Sequence, residues 1–222
     1  EWLARSDVQF HWHNRGYADF GAFLAALSHK KRKNIRQERN QVAASGLALA
    51  MRGGASLSAA EWRRIHALYE ATFDAKGNHA ALTLGFFRRL GEVLGDAVQV
   101  ATAHDGNEIV AIALFLRSAS TLYGRYWGAS VEVPGLHFEL CYYQGIEYAI
   151  AQGLARFEPG AQGEHKLARG FLPARTHSRH YLAHPDFRRA VRAALAREAQ
   201  GIEAYVQDLL AHSPYAERNP SA

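Results

Sequence analysis

Apolar residues recur along this chain at two periods, and each change of period marks a new element. Residues 9–14 predict a short strand. Residues 17–27 then place Phe20, Phe23, Leu24 and Leu27 on one side of a helix, with Asp19 as its cap. A second helix over 30–45 continues that stripe through Ile35 and Val42 alone and stops at Gly46; a strand over 47–51 follows. Ser58 and Glu61 form a capping box, and Leu57 can staple onto Trp62, so a helix starts there and runs through Ile65, Leu68, Tyr69 and Phe73. The next helix is capped by Thr83, carries Leu84, Phe87, Leu90 and Leu94 at helical spacing, and ends at Gly95.

The middle of the chain changes period. Residues 98–104 and 109–116, joined by Asp105-Gly106, predict an antiparallel hairpin, and 121–128 a third strand rich in aromatic residues. The unbroken apolar run 109–116 reads as a buried strand, far short of the roughly 20 residues a membrane helix needs. A helix over 137–152, a short strand over 155–158, a glycine-punctuated loop over 159–163 and a strand over 175–183 come next. The last helix, 186–212, carries Phe187, Val191, Leu195, Ile202, Tyr205 and Leu209 on one face, and 213–222 predicts a frayed tail. This order predicts one mixed α/β (α+β) module, a mostly antiparallel sheet flanked by helices.

Composition narrows the classes. Hydrophobic residues at 48% and charged residues at 21% match a globular domain. One cysteine, Cys141, excludes an internal disulfide framework and points to a reducing, cytoplasmic setting. The formal charge of +5 favours anionic partners. The histidines form no helical metal pair, no cysteine ligand cluster accompanies them, and no metal is expected. A Walker loop, a dinucleotide glycine fingerprint and a serine elbow are all missing from the sequence.

Four segments could carry chemistry. Residues 29–39 hold six cations and one carboxylate; Arg32, Arg36 and Arg39 fall on one helical face with Lys33 beside them, which suits a phosphate or a nucleotide-linked substrate. The alternative is a solvated helix face. In Tyr123-Gly-Arg-Tyr-Trp-Gly128, strand alternation puts Tyr123, Arg125 and Trp127 together with Tyr126 opposite, so Arg125 is either a pocket cation with aromatic walls or a snorkelling core arginine. His137 and Glu139 open a helix at its positive end, and helical spacing sets Glu139 beside Tyr143. The run 157–171 gathers Gln162, Glu164, His165, Lys166 and Arg169 between glycines on a predicted loop, where Glu164 and His165 could move a proton and Lys166 or Arg169 could neutralise an oxyanion.

Together the Lys33-Asn-Ile-Arg36 helix, the Tyr123–Gly128 strand, the Leu136-His-Phe-Glu139 helix start and the Gly160–Gly170 loop resemble the FemAB-like group of predicted N-acyltransferases, also described as peptidoglycan biosynthesis and recognition proteins. The resemblance spans about residues 9–212. It implies an acetyltransferase-like (GNAT) fold in a bacterial protein, commonly as two modules, of which this chain, opening on Glu1 rather than Met, would be the C-terminal part. Wider Fem relatives move amino acids from aminoacyl-tRNA onto the peptide of a cell-wall precursor. The resemblance therefore implies an RNA-linked or nucleotide-linked anionic substrate rather than DNA. Coenzyme A users of this fold carry a glycine-rich loop before the central helix; residues 129–136 lack it, Pro134 has no amide hydrogen, and Glu132 repels a pyrophosphate. No cofactor is expected, and the acyl donor would be a co-substrate.

The expected chemistry is acyl or aminoacyl transfer to an amine. Glu164, His165 or Glu139 would accept the amine proton, and Lys166, Arg169 and Arg125 would hold a donor phosphate or stabilise the oxyanion. Arg32, Lys33 and Arg36 would hold an anionic partner, with Tyr126, His137, Tyr143 and Gln162 lining the site. Cys141 is expected to be no nucleophile, so attack is direct. The alternatives are a non-catalytic module that binds a cell-wall precursor or RNA, and acetyl-CoA-dependent N-acetyl transfer.

Overall fold

The computed structural model describes residues 2–161 and 163–216. Seven strands, β1 (Leu3–His13), β2 (Ala48–Gly53), β3 (Val98–Asp105), β4 (Glu108–Arg117), β5 (Thr121–Ala129), β6 (Arg156–Glu158) and β7 (Leu172–His180), pair in the spatial order β2-β3-β4-β5-β6-β1-β7. Every neighbouring pair is antiparallel except β5–β6, which is parallel. A parallel pair needs a crossover. Here it is a continuous helical stretch: α5 (Leu136–Phe138), a π-helical turn (Glu139–Tyr143) and α6 (Gln144–Ala151).

Helices cover both faces of the sheet. On one side α1 (Phe20–Ala25), α2 (His29–Ala44) and the crossover bury Phe23, Ile35, Val42, Leu140 and Ile146 against Ala111, Ala113, Phe115 and Phe157. On the other, α3 (Ala59–Asp74) and α4 (Leu84–Leu94) bury Trp62, Ile65, Leu68 and Phe87 against Val98, Val100, Ile112 and Leu114. The unbroken apolar run in β4 follows from this burial on both faces. Gly128 lets α3 approach β5: a Cβ there would overlap the Leu68 carbonyl.

The local signals act as their residue types dictate. Asp19 caps α1, its carboxylate accepting from the Ala22 amide at 2.7 Å. Ser58 and Glu61 close the capping box of α3, and Thr83 caps α4. β1 is longer than the short strand expected over 9–14, because it pairs with β7 all the way from Leu3↔His180 to His11↔Leu172. The tail expectation needs correction at 213–216. Pro214 O accepts from Ser28 N at 2.9 Å, Ala216 N donates to Ala26 O at 3.0 Å, and the Tyr215 hydroxyl donates to Gly170 O at 2.8 Å. Residues 217–222 lie outside the described residues.

The last helix, α7 (Pro185–Ala211), buries only Val206 and Leu209 fully, and Phe187 is exposed. Among the described residues no helix is long and apolar enough to cross a membrane.

Two glycines should respond to alanine with opposite sign. Gly128→Ala forces α3 off β5 and should cost about 1–3 kcal/mol. Gly201→Ala, in the interior of α7 with open space around it, should gain about 0.5–1 kcal/mol. Urea denaturation midpoints check both.

Candidate active site

The parallel pair that ties β5 to β6 is short. Its register runs Thr121↔Arg156, Leu122↔Phe157 and Tyr123↔Glu158, and then the strands part. The next residue on β6's side is Pro159, which has no amide hydrogen to continue the ladder. Opposite it stands Gly124, where a Cβ would come within 3.1 Å of Pro159 Cα. Beyond the split lies a cavity of about 180 Å³, lined by Gly124, Arg125, Trp127, His137, Tyr142 and Pro159 among others. Clefts outside the carboxyl ends of parallel strands are where open α/β sheets bind ligands.

A β-bulge re-aims the strand at this place. Leu114 pairs with Tyr126 and Phe115 with Gly124, so Arg125 has no opposite residue. The extra residue reverses the alternation. Tyr126 packs on Tyr69 and Phe87 beneath α3 and α4, at ring centroid distances of 4.8 and 6.2 Å, while Trp127 meets His137 at 5.1 Å on the crossover side. Tyr123 sits opposite Leu116, on the α3/α4 face, and so does not share a face with Trp127 as strict alternation predicts. The Arg125 guanidinium lies 5.6 Å from the Tyr123 ring centroid.

The π-helical turn builds the opposite wall. In such a turn residues five apart become neighbours, rather than four. His137 and Tyr142 therefore face the cavity together, their rings 5.6 Å apart. Glu139 is likewise matched with Gln144, whose amide donates to Oε1 at 2.8 Å, and not with Tyr143 as α-helical spacing suggests. Arg39 completes its shell, donating from Nε at 3.1 Å and from Nη2 at 3.0 Å, and Nη2 also reaches Glu147 at 3.0 Å. Glu139 is 2% exposed. Arg39 therefore turns inward, away from the face expected to hold Arg32 and Arg36.

Residues 164–169 are a 3₁₀ turn, Glu164–Arg169, rather than the predicted loop. Arg169 is buried against Phe138, its guanidinium 3.4 Å from the ring centroid. It donates to Glu38 Oε1 at 2.6 Å, to the Tyr143 hydroxyl at 3.1 Å and to His165 O at 2.9 Å; Tyr143 in turn donates to Glu38. Lys166 is 2% exposed and donates to Gly160 O at 2.7 Å. The hydroxyl of Tyr142 and Nε2 of His165 are 2.8 Å apart. Glu164 leaves this group and accepts from the Tyr205 hydroxyl of α7 at 2.5 Å. Gln162 lies outside the described residues.

Burial sets the protonation of the cavity. It lowers His137 to about 4, helped by the His165, Arg169 and Lys166 charges, so the ring is neutral near pH 7. Burial also lowers His165, and it brings Lys166 from 10.5 down to about 8. It pushes the Cys141 thiol and the Tyr142 hydroxyl up, which makes the thiol a poor nucleophile. Among the described residues neither ring nitrogen of His137 has a hydrogen-bond partner, and no His, Cys, Asp and Glu cluster could hold a metal ion.

The expected site thus divides. Arg125 and His137 line the cavity, with His165 and Lys166 near His137, while the Tyr126 ring packs on the other face of the sheet beneath α3 and α4. Tyr143 and Arg169 form a buried network with Glu38, Glu139 pairs with Arg39, and Glu164 faces α7. Arg32, Lys33 and Arg36 line a separate open groove of about 670 Å³ along α2, together with Gln37, Asn40 and Gln41. Sequence reasoning missed Tyr142 and the glycine-proline split; the Glu158-Pro159 step was the available signal.

A family profile for FemAB-like proteins, described as peptidoglycan biosynthesis/recognition, matches residues 1–217. No curated protein matches the sequence. Among solved structures, the C-terminal domain of a putative lysylphosphatidylglycerol synthetase from Agrobacterium fabrum is similar in fold, with a TM-score of 0.53 and 11% identity over 75% of this chain and 52% of that one. L-PGS from Bacillus licheniformis matches with a TM-score of 0.49 and 12% identity, over 71% of this chain and 48% of that one. The chain therefore spans about half the length of these structures. With the profile running from residue 1 to residue 217 of 222, the chain belongs to the FemAB-like family of peptidoglycan biosynthesis and recognition proteins.

Proposed function

We propose that this module has an acetyltransferase-like fold and transfers an acyl or aminoacyl group to an amine at the cleft between β5 and β6. The observation that carries the proposal is His137: a half-buried, neutral imidazole with both ring nitrogens unengaged among the described residues, set in the wall of a cavity at the carboxyl ends of a parallel strand pair. Family membership and the fold of the Agrobacterium domain support it. Attack of the amine lone pair on the acyl carbonyl forms the C–N bond and sheds a proton, which His137 accepts. A ring that titrates near 4 is a weak resting base but, once charged, a strong acid, so it passes the proton to the leaving oxygen of the donor. Arg125 holds the anionic part of the donor, and the Lys166 charge near His137 lowers the cost of the oxyanion. Tyr142 orients His165. Glu139 and Glu164, engaged elsewhere, take no proton here.

A second reading, anion binding without chemistry, is favoured by the α2 groove. Among the described residues Lys33 and Arg36 have no ion-pair partner, and Arg32 touches only the Ala25 carbonyl at 3.4 Å. In a transferase the same groove would hold the distal phosphates of a nucleotide-linked donor.

Three outcomes test these readings. Incubated with charged tRNA and a nucleotide-linked cell-wall precursor, the wild type should yield a mass-shifted product. His137→Phe should lose about 10²–10⁴ of kcat/KM with an unchanged melting temperature; full activity in that variant removes the site. Lys166 makes stability depend on pH. Its amine binds a proton less readily when folded, so between pH 8 and 10.5 its own contribution to stability rises with pH. The Cys141 thiol and the Tyr142, Tyr143 and Tyr215 hydroxyls, all raised by burial, give the opposite slope towards the top of that window in both proteins. The urea midpoint of the wild type minus that of Lys166→Met should therefore climb from pH 8 to 10.5. Binding without chemistry predicts a tRNA affinity that falls steeply with salt, and a shallower slope in Arg32→Gln/Arg36→Gln. Under that reading His137→Phe binds as the wild type does and no product forms.

A further inference from the structure

A second cavity adjoins the first. It holds about 570 Å³, runs along residues 129–136, and shares Trp127 and His137 with the cleft between β5 and β6. Its other walls are mostly apolar, formed by Val131, Val133, Pro134 and Leu136. The lining of each cavity includes one arginine or carboxylate: Arg125 in the first, Glu132 in the second. Neither has an ion-pair partner among the described residues. The two imidazole nitrogens and the indole between them are neutral. No ion pair joins Arg125 to Glu132 among the described residues.

An exposed carboxylate without an ion-pair partner, in the lining of a mostly apolar cavity that also holds a neutral imidazole, fits one kind of occupant. We infer that the second cavity is the amine-acceptor subsite and takes an alkylammonium: an apolar stem ending in a primary ammonium. The stem packs on Val131, Val133 and Pro134; Glu132 attracts the ammonium at the entrance, the ammonium loses one proton to solvent there, and the neutral amine reaches His137. The donor's anionic group, drawn to Arg125, enters from the opposite side. Substrates of opposite charge thus approach His137 from two directions, and each is repelled from the other's entrance. The inference rests on the transfer reading and deepens it by naming the acceptor's chemistry and Glu132 as a specificity residue.

Binding can be read without turnover. The chain has four tryptophans, and the indole N–H signal of Trp127 is assigned in a ¹H–¹⁵N spectrum by its loss in Trp127→Phe. Titration of the wild type with pentylamine should shift that signal, and 1-pentanol should bind at least threefold more weakly. Glu132→Gln should weaken pentylamine about threefold to fivefold, as expected for an exposed ion pair, and leave pentanol unchanged. Glu132→Asp should retain most of the amine's affinity. Equal affinity of amine and alcohol for the wild type overturns the assignment, as does unchanged pentylamine affinity in Glu132→Gln or no shift at all. The two proposals fail separately. Pentylamine selectivity in a chain that forms no product sinks the transfer reading alone, while active transfer with an acceptor KM indifferent to Glu132→Gln sinks the subsite alone.

Discussion

Every feature of the candidate site depends on three residues of parallel pairing. A strand pair of this kind, set in an antiparallel sheet, obliges the chain to cross over, and the crossover helix brings His137 and Tyr142 to the sheet's end. The pairing then has to stop so that a cavity can open. Pro159 ends it by lacking a donor, and Gly124 allows the two backbones to lie close at the point of parting. The bulge at Arg125 sends the following side chains to faces that regular alternation would deny them. Pairing, termination and bulge act within about five residues of each other along β5.

Around that opening, charge is used mainly to hold the crossover in place. Glu139, nearly excluded from water, would be costly alone; Arg39 and Gln144 occupy its oxygens and fasten α2 to the π-helical turn. Arg169, Glu38 and Tyr143 form a second clamp between α2, the 3₁₀ turn and the crossover. The stacking of Arg169 on Phe138 fixes the guanidinium plane. These networks tie α2 and the 3₁₀ turn to the helix that presents His137, and the Arg169 charge helps to keep its ring uncharged. Residues that look catalytic by type, Glu139 and Arg169 among them, are thus engaged with one another, and His137, the proton carrier of the proposed mechanism, has no hydrogen-bond partner among the described residues.

The proposed division of the groove follows from the same economy of charge. Where the fold engages an ionisable group, another side chain takes up its charge; Arg125, Glu132 and Arg32, Lys33 and Arg36 of α2 have no ion-pair partner among the described residues and line open space. Their signs sort the surroundings into a cationic side for a donor and an anionic entrance for an acceptor. Such sorting acts over a Debye length of about 8 Å at physiological salt, so it governs approach and orientation more than tight binding.

Much of this was legible in the chain alone. The caps at Asp19, Ser58 and Thr83, the hairpin at Asp105-Gly106 and the two-sided burial of β4 are local consequences of residue type and period, and sequence carries local information directly. The mixed sheet flanked by helices follows from their order, and the family from the motifs they carry. What only the tertiary structure decided is which of many charged residues are engaged. Glu139 and Arg39 are a hundred positions apart, and Glu38 lies still further from its partners Tyr143 and Arg169. A π-helical turn and a one-residue bulge, each worth little locally, changed the neighbours of Glu139 and the faces of Tyr126 and Trp127. Periodicity assumes regular elements; pairing energy between distant side chains determines where that regularity breaks, and the candidate site lies at two such breaks.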